Sequence, residues 1–107
     1  GNHERDFTYV KDVALILEKL LTKKLNKNMI FNVCSNNPQS ILKIINLFQK
    51  KNNLKVKKIE KHKADILKTH GDNTKIKKIT RFNNFSKFRD NIFSLYEWYK
   101  QNKIDKL

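Results

Sequence analysis

From Asp12 onward the chain sets Val13, Ile16, Leu17, Leu20 and Leu21 at i, i+3, i+4, i+7 and i+8, the spacing that gathers apolar side chains on one face of an α-helix. Asp12 stands where an N-cap carboxylate belongs. A helix of this kind needs a partner layer, and the rest of the sequence offers several. Arg5 to Val10 is aromatic and β-branched and predicts a short strand; Met29 to Cys34 is a second apolar run of strand length. Asn36-Asn37-Pro38 signals a turn, after which Ser40 can cap a second helix with Ile41, Ile44, Ile45 and Phe48 inward, ending over Lys50 to Asn53. Leu54, Val56 and Ile59 alternate with lysines and predict an exposed strand with one buried face. Asp72 is placed to cap a short helix over Asn73 to Ile79, and Ser86 a longer one with Phe88, Ile92, Leu95 and Tyr99 on one face. Phe85 sits where a hydrophobic staple would. The expected class is α+β, with about four helices and two or three short strands.

Length and composition bound the function. At 107 residues there is room for one domain and one core, and 38% hydrophobic with 10% aromatic residues argues against disorder. Twenty-four Lys and Arg against ten Asp and Glu give +14, a field that attracts polyanions, so nucleic acid is a partner to weigh. The excess is almost all Lys, Arg occurring only at positions 5, 81 and 89, and a lysine-rich solvated surface explains it equally. The single cysteine, Cys34, excludes an internal disulfide framework and fits a reducing compartment, the cytoplasm by default. No apolar run reaches the roughly 18 to 20 residues of a membrane span, and no leader pattern opens the sequence, so a soluble protein is expected.

Four ordered blocks carry a family resemblance. Arg5-Asp6-Phe7-Thr8-Tyr9-Val10-Lys11-Asp12 resembles the Arg-Asp-Phe-Thr-Tyr-Val-Asp-Asp segment of extended short-chain dehydrogenase/reductase enzymes acting on nucleotide sugars. Phe31 to Ser40 is similar to their Tyr-Asn-(Ile/Val)-Gly-x-x-x-Pro-x-Ser segment, with Cys34 where the pattern has Gly. Ala64 to Lys75 resembles Gly-Asp-Val-x-x-Thr-x-Ala-Asp-x-Ser-Lys, with Ala64 for Gly and Gly71 for Ala. Glu97-Trp98-Tyr99-Lys100 resembles the closing helix. The pattern resembles that of UDP-glucuronate and UDP-galactose 4-epimerases, and the resemblance spans residues 1–107 as their carboxy-terminal, substrate-binding region.

The resemblance implies site residues and partners. Arg5 takes the place of an Arg that contacts the UDP-sugar diphosphate, a task suited to a planar, permanently charged fork; the competing role is a surface ion pair with Glu4 or Asp6. Asp65 matches an Asp that accepts a hydrogen bond from a ribose hydroxyl. His62 stands where many members carry Arg or Gln facing the nucleotide, and either donates to a phosphate or faces solvent. Asp72 is expected to be a structural cap, and Asn32 to tie the following loop or pack at a strand end. In the whole enzyme NAD takes a hydride from sugar C4 and returns it to the opposite face. The NAD-binding Rossmann half is expected to lie outside these residues, so that the segment alone binds no NAD and is inactive. The apolar Val13 to Leu21 helix would then be open to self-association.

Other chemistries find little support in the residues. Tyr96 and Lys100 have the Tyr-x-x-x-Lys spacing of the family's catalytic pair, but they fall in the closing helix, where i and i+4 merely share a face; no catalytic residue is assigned. Gly1 and Gly71 cannot form a Gly-rich phosphate turn. His3, His62, His70 and Cys34 show no paired metal-ligand spacing, so no metal is expected. Two other functions remain open: a basic module whose lysines between Lys55 and Lys78 meet nucleic-acid phosphates, and a noncatalytic relic of an epimerase.

Overall fold

The computed structural model describes residues 3–52, 55–60, 62 and 64–102. Their order is β1 (Glu4–Arg5), α1 (Val10–Leu21), β2 (Gln39–Ser40), α2 (Ile41–Asn52), α3 (Thr74–Thr80) and α4 (Phe88–Gln101), the expected α+β composition. Strand β1 pairs antiparallel with β2, Glu4 opposite Ser40 and Arg5 opposite Gln39. On its other side Glu4 bridges Lys68 in parallel: its N–H donates to the Leu67 carbonyl (2.9 Å) and its carbonyl accepts from the Thr69 N–H (3.1 Å). Three distant segments therefore meet at Glu4. No helix among the described residues is long and apolar enough to cross a membrane.

The helices begin and end for identifiable reasons. Ser40 caps α2 as expected, its Oγ accepting from the Leu42 N–H at 3.2 Å, and Ile41, Ile44, Ile45 and Phe48 form the partly buried face. Asp72 Oδ1 accepts from the Thr74 N–H at the start of α3 (2.8 Å), while Asn73 holds the cap position and turns its amide to the Cys34 carbonyl (2.9 Å). Helix α3 ends on Arg81 in the left-handed region, φ 57°, with the Arg81 N–H bound to the Lys77 carbonyl.

The core is small. Ile16 of α1, Ile76 of α3 and Phe82 are buried together, and Leu20, Phe31, Val33 and Phe85 close around them. Phe82 and Phe85 meet edge to face, ring centres 5.0 Å apart. Elsewhere Phe48 of α2 meets Tyr96 of α4 at 5.3 Å, and Phe7 meets Phe88 at 5.5 Å, which seats α4 beside α2 and the β1–α1 connection.

Several sequence expectations are corrected. The Arg5 to Val10 strand shrinks to Glu4–Arg5, and α1 starts at Val10. Asp12 thus lies inside the first turn and binds Ser86 instead of capping. Ser86 is drawn to Asp12, so the α4 cap position falls on Lys87, and Phe85 joins the core instead of stapling that helix. Leu95 and Tyr99 are exposed; the inward line of α4 passes through Phe88, Ile92 and Tyr96. Met29 to Cys34 forms no strand, and Val56 and Ile59 are both exposed in an irregular segment. Leu54, together with Gly1, Asn2 and Asn53, lies outside the described residues.

Candidate functional site

The site region is organised by Asp6, which follows β1 directly. Its Oδ1 accepts from the Ser35 hydroxyl (2.5 Å) and the Asn37 N–H (3.3 Å), and its Oδ2 from the N–H groups of Asn36 (3.1 Å) and Gly71 (3.0 Å). The Asp6 N–H in turn donates to Thr69 Oγ1 (3.1 Å). One carboxylate thus ties β1 to the 35–37 turn and the 69–71 segment. Burial pushes the Asp6 carboxyl up, but the hydrogen bonds from Ser35, Gly71, Asn37 and Asn36 together outweigh it and hold the group below its ordinary 3.8. Beside it, burial first and the Asp6 charge second push the Cys34 thiol up, so Cys34 is a neutral packing group.

Arg5, at the end of β1, is half-buried and donates from Nη1 to the Glu4 carbonyl (2.8 Å). Neither neighbouring carboxylate pairs with it. Glu4 is bound to Lys68 Nζ at 2.9 Å, and Asp6 is committed to the turn. Of the two roles open to Arg5 in the sequence, the surface ion pair with Glu4 or Asp6 is therefore not formed.

His62 and Asp65 form a self-closing turn. Asp65 Oδ2 accepts from the His62 N–H (3.2 Å), the Asp65 N–H donates to the His62 carbonyl (3.0 Å), and His62 Nδ1 accepts from the Ala64 N–H (3.2 Å). With Nδ1 an acceptor, a neutral His62 carries its proton on Nε2. Both residues are exposed. The turn runs directly into the 67–69 segment, whose backbone bridges Glu4, the residue before Arg5. A separate cleft of about 440 Å³ lies against Asn36, His70, Gly71, Asp72 and Thr74, with His70 Nε2 2.6 Å from Asn36 Oδ1. Arg5, His62 and Asp65 do not line it. Asn32 is exposed, and the tie between the 31–34 run and its surroundings is made by Asn73.

The sequence reading passed over Asp6 and Ser35, because hydrogen bonds spanning 29 to 65 residues leave no local pattern. Among the described residues, no three His, Cys, Asp or Glu side chains gather to hold a metal ion. Gly71 has no positive φ and backs onto the Cys34 side chain.

No family model matches the chain. It is 30% identical over 105 residues to an uncharacterized protein of Methanocaldococcus jannaschii, an alignment covering 96% of this chain and 32% of that protein. Among solved structures it is similar to MoeE5 in complex with UDP-glucuronic acid and NAD (TM-score 0.85, 18% identity, 95% of this chain and 35% of that one). It is also similar to the UDP-glucuronic acid 4-epimerase of Bacillus cereus with the same two ligands (TM-score 0.83, 24% identity, 95% and 33%). The chain thus has the fold of the carboxy-terminal region of an extended short-chain dehydrogenase/reductase, and spans about a third of the length of the proteins it matches.

Proposed function

We propose that this chain is the nucleotide-holding part of a UDP-sugar epimerase or dehydratase, of the kind acting on UDP-glucuronate, working with an NAD-binding Rossmann half that carries the hydride chemistry. Its own residues bind and orient. Arg5 grips the diphosphate with the donors of its fork not given to Glu4, Asp65 accepts a ribose hydroxyl through Oδ1, and His62 donates from Nε2 to a phosphate oxygen. One observation carries the reading: Arg5 is half-buried, and both adjacent carboxylates are bound elsewhere, which leaves its charge to an external anion. The likeness to structures holding UDP-glucuronic acid and NAD supports the choice of anion.

The test is a titration of the chain with UDP, following backbone resonances. Shifts should gather at Arg5, His62 and Asp65, and Arg5→Ala should weaken binding about tenfold or more, the value of one charge-assisted hydrogen bond. A folded chain without affinity for UDP would point to a relic, and equal shifts with an unrelated oligonucleotide would point to a nucleic-acid module; either defeats the proposal.

A further inference from the structure

We infer that the outer face of α2 and the 55–59 segment form a peripheral docking surface for an anionic lipid bilayer, the lysines meeting headgroups and the apolar side chains entering between them. The surface is separate in chemistry from the nucleotide site proposed at Arg5.

Charge in the sequence sets the surface up. Between Glu18 and Glu60 there is no acidic residue, and from Ile41 to Ile59 the cations are Lys43, Lys50, Lys51, Lys55, Lys57 and Lys58, with no Arg. A stretch of one sign keeps its field, because no carboxylate within it neutralises the lysines. Among the described residues Lys50, Lys55, Lys57 and Lys58 make no ion pair; pairs form elsewhere, between Lys68 and Glu4 and between Lys100 and Glu97.

The fold then sets these cations among apolar groups. Lys57 and Lys58 line a groove of about 580 Å³ with Leu42, Ile45, Val56 and Ile59. Lys43 and Lys50 line a second groove, of about 420 Å³, with Leu42 and Leu47. Leu42 and Asn46 belong to both, so the two grooves make one continuous surface along α2. Three apolar side chains stand open on it: Leu42 is 44% exposed, Val56 46% and Ile59 82%.

This mixture selects the partner. A lysine is a mobile point charge that suits a fluid array of lipid headgroups, and each one near an anionic leaflet raises affinity about fivefold. Apolar side chains beside it add to the binding by entering the headgroup boundary. A protein interface is instead enriched in Arg and aromatic residues and depleted in Lys. Here the one aromatic residue of the 41–59 stretch, Phe48, is turned onto Tyr96, and Arg89, beyond Leu47 and Lys50, is held over the Phe93 ring at 5.6 Å. A nucleic acid would engage the lysines through its phosphates, but Val56 and Ile59 would have nothing apolar to enter and no ring would be free to stack on a base. A bilayer boundary satisfies both the cations and the apolar groups.

Co-sedimentation with large vesicles tests the surface. At about 0.15 M salt the chain should bind vesicles of phosphatidylcholine containing about 30% phosphatidylserine and should not bind vesicles of phosphatidylcholine alone. Lys57→Gln with Lys58→Gln should weaken that binding about 25-fold. Lys24→Gln with Lys78→Gln removes the same charge after α1 and on α3, and should weaken it less than about threefold. Val56→Ser with Ile59→Ser should weaken binding about tenfold or more at unchanged net charge. Val56, Lys57, Lys58 and Ile59 are all exposed in an irregular segment, so circular dichroism should not change. Failure to bind phosphatidylserine vesicles, equal binding to phosphatidylcholine alone, equal losses from the two lysine pairs, or indifference to the Val56 and Ile59 change would overturn the inference. So would tighter binding of an oligonucleotide or of polyglutamate than of the vesicles, which would assign the lysines to a nucleic acid or to an acidic protein. UDP affinity is read separately: its absence would refute the site at Arg5 and leave the docking surface standing.

Discussion

The carboxylate of Asp12, buried on α1, accepts both the backbone N–H (2.9 Å) and the hydroxyl (2.6 Å) of Ser86, 74 residues further along the chain. This pair holds the start of the last helix against the first. Asp12→Ala removes an acceptor from two donors at once and should lower the unfolding free energy by about 2–3 kcal/mol, measured by urea denaturation. Ser86→Ala should cost less, since the backbone N–H keeps its partner.

Stability should fall in acid because of Asp6. Its folded-state pKa lies below the ordinary 3.8, so its stabilising contribution is complete above about pH 4 and is lost as pH falls through the folded value. Asp72, lowered by its hydrogen bonds from Thr74, acts in the same direction. Thermal melts from pH 6 to pH 2 should show this limb, and Asp6→Asn should flatten it while lowering the melting temperature at neutral pH.

Cys34 and Gly71 should behave as a coupled pair. A Cβ placed on Gly71 would stand 2.5 Å from the Cys34 Sγ and 3.0 Å from its Cβ. Gly71→Ala should therefore cost about 1–3 kcal/mol by overpacking. Adding Cys34→Gly should recover part of that loss, with a coupling above about 0.5 kcal/mol in a double-mutant cycle. The two residues are also two of the departures from the sequence pattern, which has Gly at position 34 and Ala at position 71. The absence of a side chain at Gly71 makes room for that of Cys34.

Arg81 ends α3 at φ 57°, a conformation that costs a side-chain-bearing residue about 1 kcal/mol relative to glycine. Arg81→Gly should raise stability by up to that amount, and the gain should be visible in denaturant midpoints without a change in slope.

What the sequence reveals and what it hides divide along physical lines. The Ser40 cap and the inward face of α2 depend on residues within a turn or two of one another, and their spacing reports them directly. The end of α4 misleads, since Leu95 and Tyr99 have helical spacing but the chain places no layer over them. Asp12 misleads differently: its position suits a cap, and Ser86, far away in sequence, takes the carboxylate instead. For the candidate site, the motif blocks supply Arg5, His62 and Asp65, but only the structure shows Glu4 and Asp6 occupied by other partners, which gives Arg5 its separate place.

Asp6 also has a consequence for how the protein is made. Its bonds to Ser35 and Gly71 close loops of 29 and 65 residues, so the carboxylate gathers its partners only after most of the chain has come together. Arg5 sits one residue away and inherits that timing. The proposed capacity to hold a ligand at Arg5 should therefore emerge with the final cooperative step of folding, and a nascent chain cut before Gly71 would carry the arginine without the surroundings that Asp6 gathers beside it.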